Sequence, residues 1–261
     1  MNDISYIVLG ILQGVAEWLP VSSKTVVMLV SAYVFGYTLS TSYSIGLALQ
    51  GGTVASAATY FWRSLSNIFY DKKLLLFIII STLFTGLIGV PLYVVSKKLL
   101  GEGLNPGMPT LVIGLLLLTQ ALLYKKIRGE GSKGFNDIRL RDMMIFGLAQ
   151  GLAALPGVSR SGITITTLLY LGYSLEESMK ISFIASVFAN SGALVAVYML
   201  SREVLTSEPL NSIMIMFIVS ALVGLATIKT LLSLARRYRT ETMFGISILT
   251  LTLGLLMILT S

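Results

Sequence analysis

Six apolar stretches, near 42–62, 74–96, 109–125, 181–200, 211–234 and 242–260, are each about long enough to carry a helix across roughly 30 Å of hydrocarbon. A chain carrying them has few folds open to it, because every backbone amide at that depth must be satisfied within the protein. Mean hydropathy is +0.84 and 12% of residues are charged, about half the share of an average soluble domain. Met1, Asn2 and Asp3 lack the basic patch of a secretory signal, so the first apolar stretch is expected to remain in the mature protein. Neither cysteine nor histidine occurs, which excludes disulfides, thiol nucleophiles, imidazole bases and metal sites built on nitrogen or sulfur. The net charge of +7 comes from basic residues between apolar spans, an arrangement for anionic headgroups and not for nucleic acid.

Two further apolar regions are interrupted, 4–36 by Pro20-Val21-Ser22-Ser23-Lys24 and 143–173 by Pro156-Gly157-Val158-Ser159-Arg160-Ser161-Gly162. The legs from Ile4 to Leu19 and from Thr25 to Tyr37 reach only about 24 and 20 Å, which suits a re-entrant hairpin better than two spans. If each hairpin returns to the side it left, thirteen basic residues (Arg63, Lys72, Lys73, Lys125, Lys126, Arg128, Lys133, Arg139, Arg141, Lys180, Arg236, Arg237 and Arg239) share one side. Lys97, Lys98 and Arg202 share the other. The positive-inside rule then puts the first side in the cytoplasm and both termini outside, in a multi-pass protein of the plasma membrane.

Gly10-Ile11-Leu12-Gln13-Gly14 followed by Leu19-Pro20-Val21-Ser22 reappears 137 residues later as Gly147-Leu148-Ala149-Gln150-Gly151 followed by Leu155-Pro156-Gly157-Val158-Ser159. Each copy precedes three spans, an odd number, so the second half is expected to insert upside down. The expected architecture is an all-α polytopic membrane protein with one membrane domain. Residues 1–125 and 143–261 form inverted repeats, each a re-entrant helical hairpin plus three transmembrane helices.

Charge at membrane depth marks function by default, and Glu17, Lys24, Arg160 and Lys229 lie there. Gln13 and Glu17, one helical turn apart, project from one face just ahead of the Pro20 break. Lys229, near the end of a span, is expected to snorkel to the interface. The second break is glycine-flanked, rich in hydroxyls and followed by a helix start, which is the pattern of an anion cradle. Amides at the helix N-terminus, the Ser159 and Ser161 hydroxyls and the Arg160 guanidinium all favour phosphate. Ser22, Ser23, Lys24 and Thr25 supply hydroxyls at a second helix start. If the breaks face each other, a phosphate lies between Arg160, Ser159, Ser161 and Ser23. Glu17 is then placed to bind Mg²⁺ jointly with substrate phosphates, or to accept a proton from a hydroxyl or a water.

At Leu12-Gln13-Gly14-Val15-Ala16-Glu17-Trp18-Leu19-Pro20-Val21-Ser22-Ser23 and at Pro156-Gly157-Val158-Ser159-Arg160-Ser161-Gly162-Ile163-Thr164 the sequence resembles the undecaprenyl-diphosphate phosphatases, the bacitracin-resistance family. Weaker echoes occur at Leu49-Gln50-Gly51-Gly52, Arg63 and Ser182-Phe183. The resemblance implies removal of the terminal phosphate from a polyprenyl diphosphate lipid, with a divalent cation (Mg²⁺ or Ca²⁺) as cofactor. It makes Glu17 the essential acid or metal contact, Ser23 the proposed nucleophile and Arg160 a catalytic contact to phosphate. Gln13, Ser22, Lys24, Ser159, Ser161, Gly162 and Thr164 join the substrate-binding set. A homodimer is compatible with this picture. The family's usual histidine after the serine pair is Val26 here, and its first glutamate is Gln13. Lys24 stands ready instead as a cation on the phosphate, or as the base if it loses its proton. Besides hydrolysis, two other functions suit the same features: a flippase or anion transporter, and a binding-only relative that sequesters carrier lipid.

Overall fold

A computed structural model describes residues 3–19, 21–101, 107–127, 131–206 and 209–260, with the side chains of 3, 205, 206, 235–240 and 260 excepted. The Pro20 break, Arg128 and the side chains of Arg236, Arg237 and Arg239 therefore lie outside the described residues. The chain is helical: α1 (Asp3–Ala16), α2 (Ser23–Tyr33), α3 (Leu39–Ala48), α4 (Gln50–Tyr60), α5 (Trp62–Ser66), α6 (Lys72–Gly101), α7 (Gly107–Lys125), α8 (Leu140–Leu152), α9 (Arg160–Tyr170), α10 (Leu175–Leu200), α11 (Arg202–Thr206) and α12 (Leu210–Thr260). Five windows, 72–101, 107–125, 175–200, 210–234 and 241–259, are long and apolar enough to cross a membrane.

The interior and the surface are exchanged relative to a soluble protein. Leu83, Leu87, Leu222 and Leu259 are each more than 60% exposed, whereas Gln13, Ser44, Thr164 and Ser182 are fully buried. Large apolar side chains thus face outward to lipid, and small or polar ones hold the helices together. With these five windows, the pattern defines an all-α, multi-pass membrane protein.

One expectation from the sequence is corrected. The expected span 42–62 is two helices, α3 and α4, joined at Leu49. Gly46, Gly51 and Gly52 weaken helix propensity here, and the backbone presses close, with a Cβ on Gly46 falling 2.4 Å from the Lys24 carbonyl oxygen. The expected spans 211–234 and 242–260 hold as the windows 210–234 and 241–259, both within α12, whose 51 residues would stretch about 77 Å if straight. Its contacts show that it folds back. Met216 clusters with Val204, beside the Lys97–Glu203 ion pair near the end of α6, and a Cβ on Gly107, just past that same end, would meet Ile258.

The repeated Gly-x-x-Gln-Gly motif has a packing role in both copies. A Cβ on Gly10 or Gly14 of α1 would lie 2.9 Å from backbone atoms of Met216, Ser220 or Gly224 in α12. One on Gly147 would lie 2.6 Å from the Ser81 carbonyl oxygen of α6, and one on Gly151 2.8 Å from Ile88. In each case the leading helix of a hairpin runs parallel to a helix of the other half, and glycines four apart let the backbones touch. Gly147→Ala is expected to destabilise the protein by about 1–3 kcal/mol through overpacking. Gly245→Ala, where nothing lies within 4 Å, should be neutral or mildly stabilising. Unfolding of both variants in mixed micelles measures the difference.

Candidate active site

The two hairpins meet tip to tip. The Gly157 amide donates to Thr25 Oγ1 (2.9 Å), Ser22 Oγ to the Val158 carbonyl (3.3 Å) and Lys24 Nζ to the same carbonyl (2.5 Å). Local geometry allows this approach. Gly157 has φ +90 and lies so close to the Ile113 carbonyl that a Cβ would be 2.8 Å from its oxygen. Ser22 is left-handed at φ 60, the one positive φ outside glycine among the described residues. Such a conformation in a serine costs on the order of 1–3 kcal/mol and tends to mark functional sites. The α9 N-terminus is fixed twice. Ser159 Oγ accepts from the Gly162 amide, while the Gln120 side chain of α7 donates to the Ser159 carbonyl (2.9 Å) and accepts from its amide (3.0 Å).

Behind the tips stands an ion pair that joins the two hairpins across 143 residues of chain. Arg160 Nη2 lies 2.5 Å from Glu17 Oε1, with the two side chains only 7% and 3% exposed. Glu17 Oε1 also accepts from Asn190 Nδ2 (2.9 Å), and Oε2 accepts from Ser23 Oγ (2.7 Å) and Gln13 Nε2 (2.9 Å). The i, i+4 placement of Gln13 and Glu17 thus puts both on one face, as the spacing predicts. Arg160 Nη1 reaches the Ser182 carbonyl (3.4 Å), and the guanidinium sits over the Phe183 ring, 5.5 Å from its centroid. Its Nε is buried without a hydrogen-bond partner, a donor left available.

Glu17, Ser22, Ser23, Lys24, Ser159, Arg160 and Ser161 line one small polar cavity, together with Gln50 from the α3–α4 break. Its volume is about 10 Å³, close to that of one water. Gln13, Gly162 and Thr164 do not line it: Gln13 holds Glu17, Gly162 packs under the Gln120 amide, and Thr164 Oγ1 bonds Ser182 Oγ (2.7 Å) and the Arg160 carbonyl (2.8 Å). Lys229 is exposed, away from the cavity. Sequence reasoning missed Asn190 and Gln120, whose only signal is an amide within an otherwise apolar span.

A second cavity adjoins the first. It is about 280 Å³, mostly apolar, and runs between α6, α8 and α10, bounded by Gly86, Gly89, Val90, Ala154 and Gly192. Arg160 and Gln50 belong to both walls, so the guanidinium stands where an apolar groove meets a polar pocket.

These features define a polytopic membrane protein with a buried polar pocket of hydroxyls and a guanidinium and an apolar groove beside it. The chain belongs to the bacitracin resistance protein BacA family, whose model matches residues 6–256. It is 38% identical over 241 residues to a protein of Sulfurisphaera tokodaii, covering 91% of each chain, and 37% identical over 264 residues to one of Saccharolobus islandicus, covering 98% and 99%. A third relative, from Pyrobaculum islandicum, is 40% identical over 245 residues, covering 90% of each. All three carry the name undecaprenyl-diphosphatase.

Proposed function

We propose that this chain is an integral membrane phosphatase that hydrolyses a polyprenyl diphosphate of the undecaprenyl type to the monophosphate carrier lipid and inorganic phosphate. The observation that carries this reading is the Ser23 Oγ to Glu17 Oε2 hydrogen bond of 2.7 Å, a nucleophile on its base, in a cavity that also holds Arg160. Family membership and the names of the relatives agree with it.

The ester enters sideways from lipid with its prenyl tail in the groove between α6, α8 and α10. A diphosphate exceeds a 10 Å³ cavity, so its entry parts Arg160 from Glu17 and transfers the guanidinium to phosphate oxygens. The carboxylate is then free to take the Ser23 proton as Oγ bonds to the terminal phosphorus. The bond from that phosphorus to the bridging oxygen breaks, and the polyprenyl monophosphate leaves with that oxygen. A water then attacks the phosphoseryl group, returning the hydroxyl to Ser23 and releasing inorganic phosphate. Arg160 and the Ser159 and Ser161 hydroxyls stabilise charge on the equatorial oxygens.

Purified protein given a C15 or longer prenyl diphosphate should release inorganic phosphate; binding of the lipid with release at background would overturn the reading. Gly192→Leu, which projects into open space in the groove, should raise KM for long-tailed substrates about tenfold with kcat unchanged, a loss of uniform binding. The reciprocal packing of α1 on α12 and α8 on α6 agrees with two halves inserted in opposite senses, and the distribution of Lys and Arg along the sequence is what favours both termini outside and the main basic loops cytoplasmic. That packing also favours a second reading, transbilayer movement of the lipid phosphate. Sealed vesicles carrying an unhydrolysed lipid test it.

A further inference from the structure

A diphosphate needs positive charge beside it, and the family resemblance assigns part of that charge to a divalent cation at Glu17. The donor set fits such an ion poorly. Before substrate enters, each Glu17 oxygen accepts two hydrogen bonds, Oε1 from Arg160 and Asn190 and Oε2 from Ser23 and Gln13, and three of these donors stay on it after Arg160 moves to phosphate. Magnesium wants near-octahedral oxygen. Here the neighbours of the carboxylate are chiefly N–H and O–H donors, and among the described residues beside them Gln13 Oε1 is the one buried side-chain acceptor left without a partner. Among the described residues no group of three or more acids, histidines or cysteines could hold a metal. The charged residues lining the cavity are one carboxylate, Glu17, against two cations, Arg160 and Lys24, so an entering dication meets net repulsion.

Lys24 supplies what the metal would. It is 2% exposed, follows Ser23 directly and is anchored by Nζ on the Val158 carbonyl (2.5 Å) and on Ser22 Oγ (3.3 Å). Two of its three protons are thereby used for position, and the third remains for a phosphate oxygen. The anchor ties it to the residue two before Arg160, so ammonium and guanidinium are presented to the cavity by one rigid junction. We propose that the Lys24 ammonium occupies the electrostatic role of the divalent cation in this chain, and that its phosphate release is independent of divalent metal. This rests on the phosphatase reading above, and it names the group that neutralises the substrate.

The test has two arms. In the first, Mn²⁺ is titrated into purified protein without substrate and free Mn²⁺ is followed by electron paramagnetic resonance. The wild type should bind no stoichiometric Mn²⁺ in the micromolar range, whereas Gln13→Glu, which adds a second carboxylate beside the first, should gain a site. In the second, phosphate release from a C15 prenyl diphosphate is measured in chelator and in millimolar Mg²⁺. The wild-type rate should change less than about twofold, while Lys24→Gln should lose about 10²–10³-fold in chelator and recover part of it in Mg²⁺. Stoichiometric Mn²⁺ binding by the wild type, or wild-type activity lost in chelator and restored by Mg²⁺, overturns the proposal. A Lys24→Gln loss that Mg²⁺ leaves untouched also overturns it, since Lys24 is then only a strut. If Lys24→Gln does not fold, the wild-type arms decide alone. Absence of phosphate release under every condition defeats the phosphatase reading, and the Mn²⁺ titration still decides the metal question.

Discussion

Glu17→Gln is expected to lower phosphate release by about 10²–10⁴-fold, the contribution of a positioned general base. The change keeps the size of the side chain and removes both the proton acceptor for Ser23 and the charge that orders Arg160 and Asn190. An amide offers one acceptor oxygen where four donors converge, so whichever way it turns its nitrogen faces donors. Single-turnover measurement of phosphate release at saturating substrate separates this loss from weaker binding. Retention of more than about a tenth of the wild-type rate would remove Glu17 from the base role.

The second large effect concerns stability. Arg160→Gln leaves the Glu17 carboxylate buried without its cation, and breaking a pair this enclosed costs about 3–5 kcal/mol. The double variant Glu17→Gln/Arg160→Gln removes both charges, and should recover most of that stability with none of the activity. The two substitutions are thus strongly non-additive in folding, as groups in direct contact should be. Unfolding of the two single variants and the double variant in mixed micelles reads this coupling. A double variant whose loss equals the sum of the singles would mean that the pair does not couple the hairpins. The same cycle guards the activity result, because a stable but inactive double variant cannot have failed by misfolding.

Much of this site is legible in the sequence because its signals are local. Pro156-Gly157-Val158-Ser159-Arg160 announces a break and a helix start, and a cap is a property of a few adjacent residues. Gln13 and Glu17 share a face by helical periodicity alone. Asn190 and Gln120 were harder to see, because their partners lie on other helices. A lipid-facing helix is apolar all round, so the amphipathic signal that tells inside from outside in a soluble protein is faint. Thr164 shows the opposite error: it belongs to the motif, yet its hydroxyl ties α9 to α10 instead of facing the cavity. The join of α3 to α4 also escaped, since apolar runs report length and say little about where a helix bends.

The ion pair spans 143 residues of chain, which has a consequence during synthesis. At about 5–20 residues per second, Glu17 emerges from the ribosome roughly 7–30 s before Arg160 does. Throughout that interval the nascent first hairpin carries an acid and Lys24 that have nothing of the second half to hold them, and hydrocarbon tolerates neither well. The first hairpin is therefore expected to wait at the bilayer surface or inside the insertion machinery, and to sink to its final depth only once the second hairpin arrives.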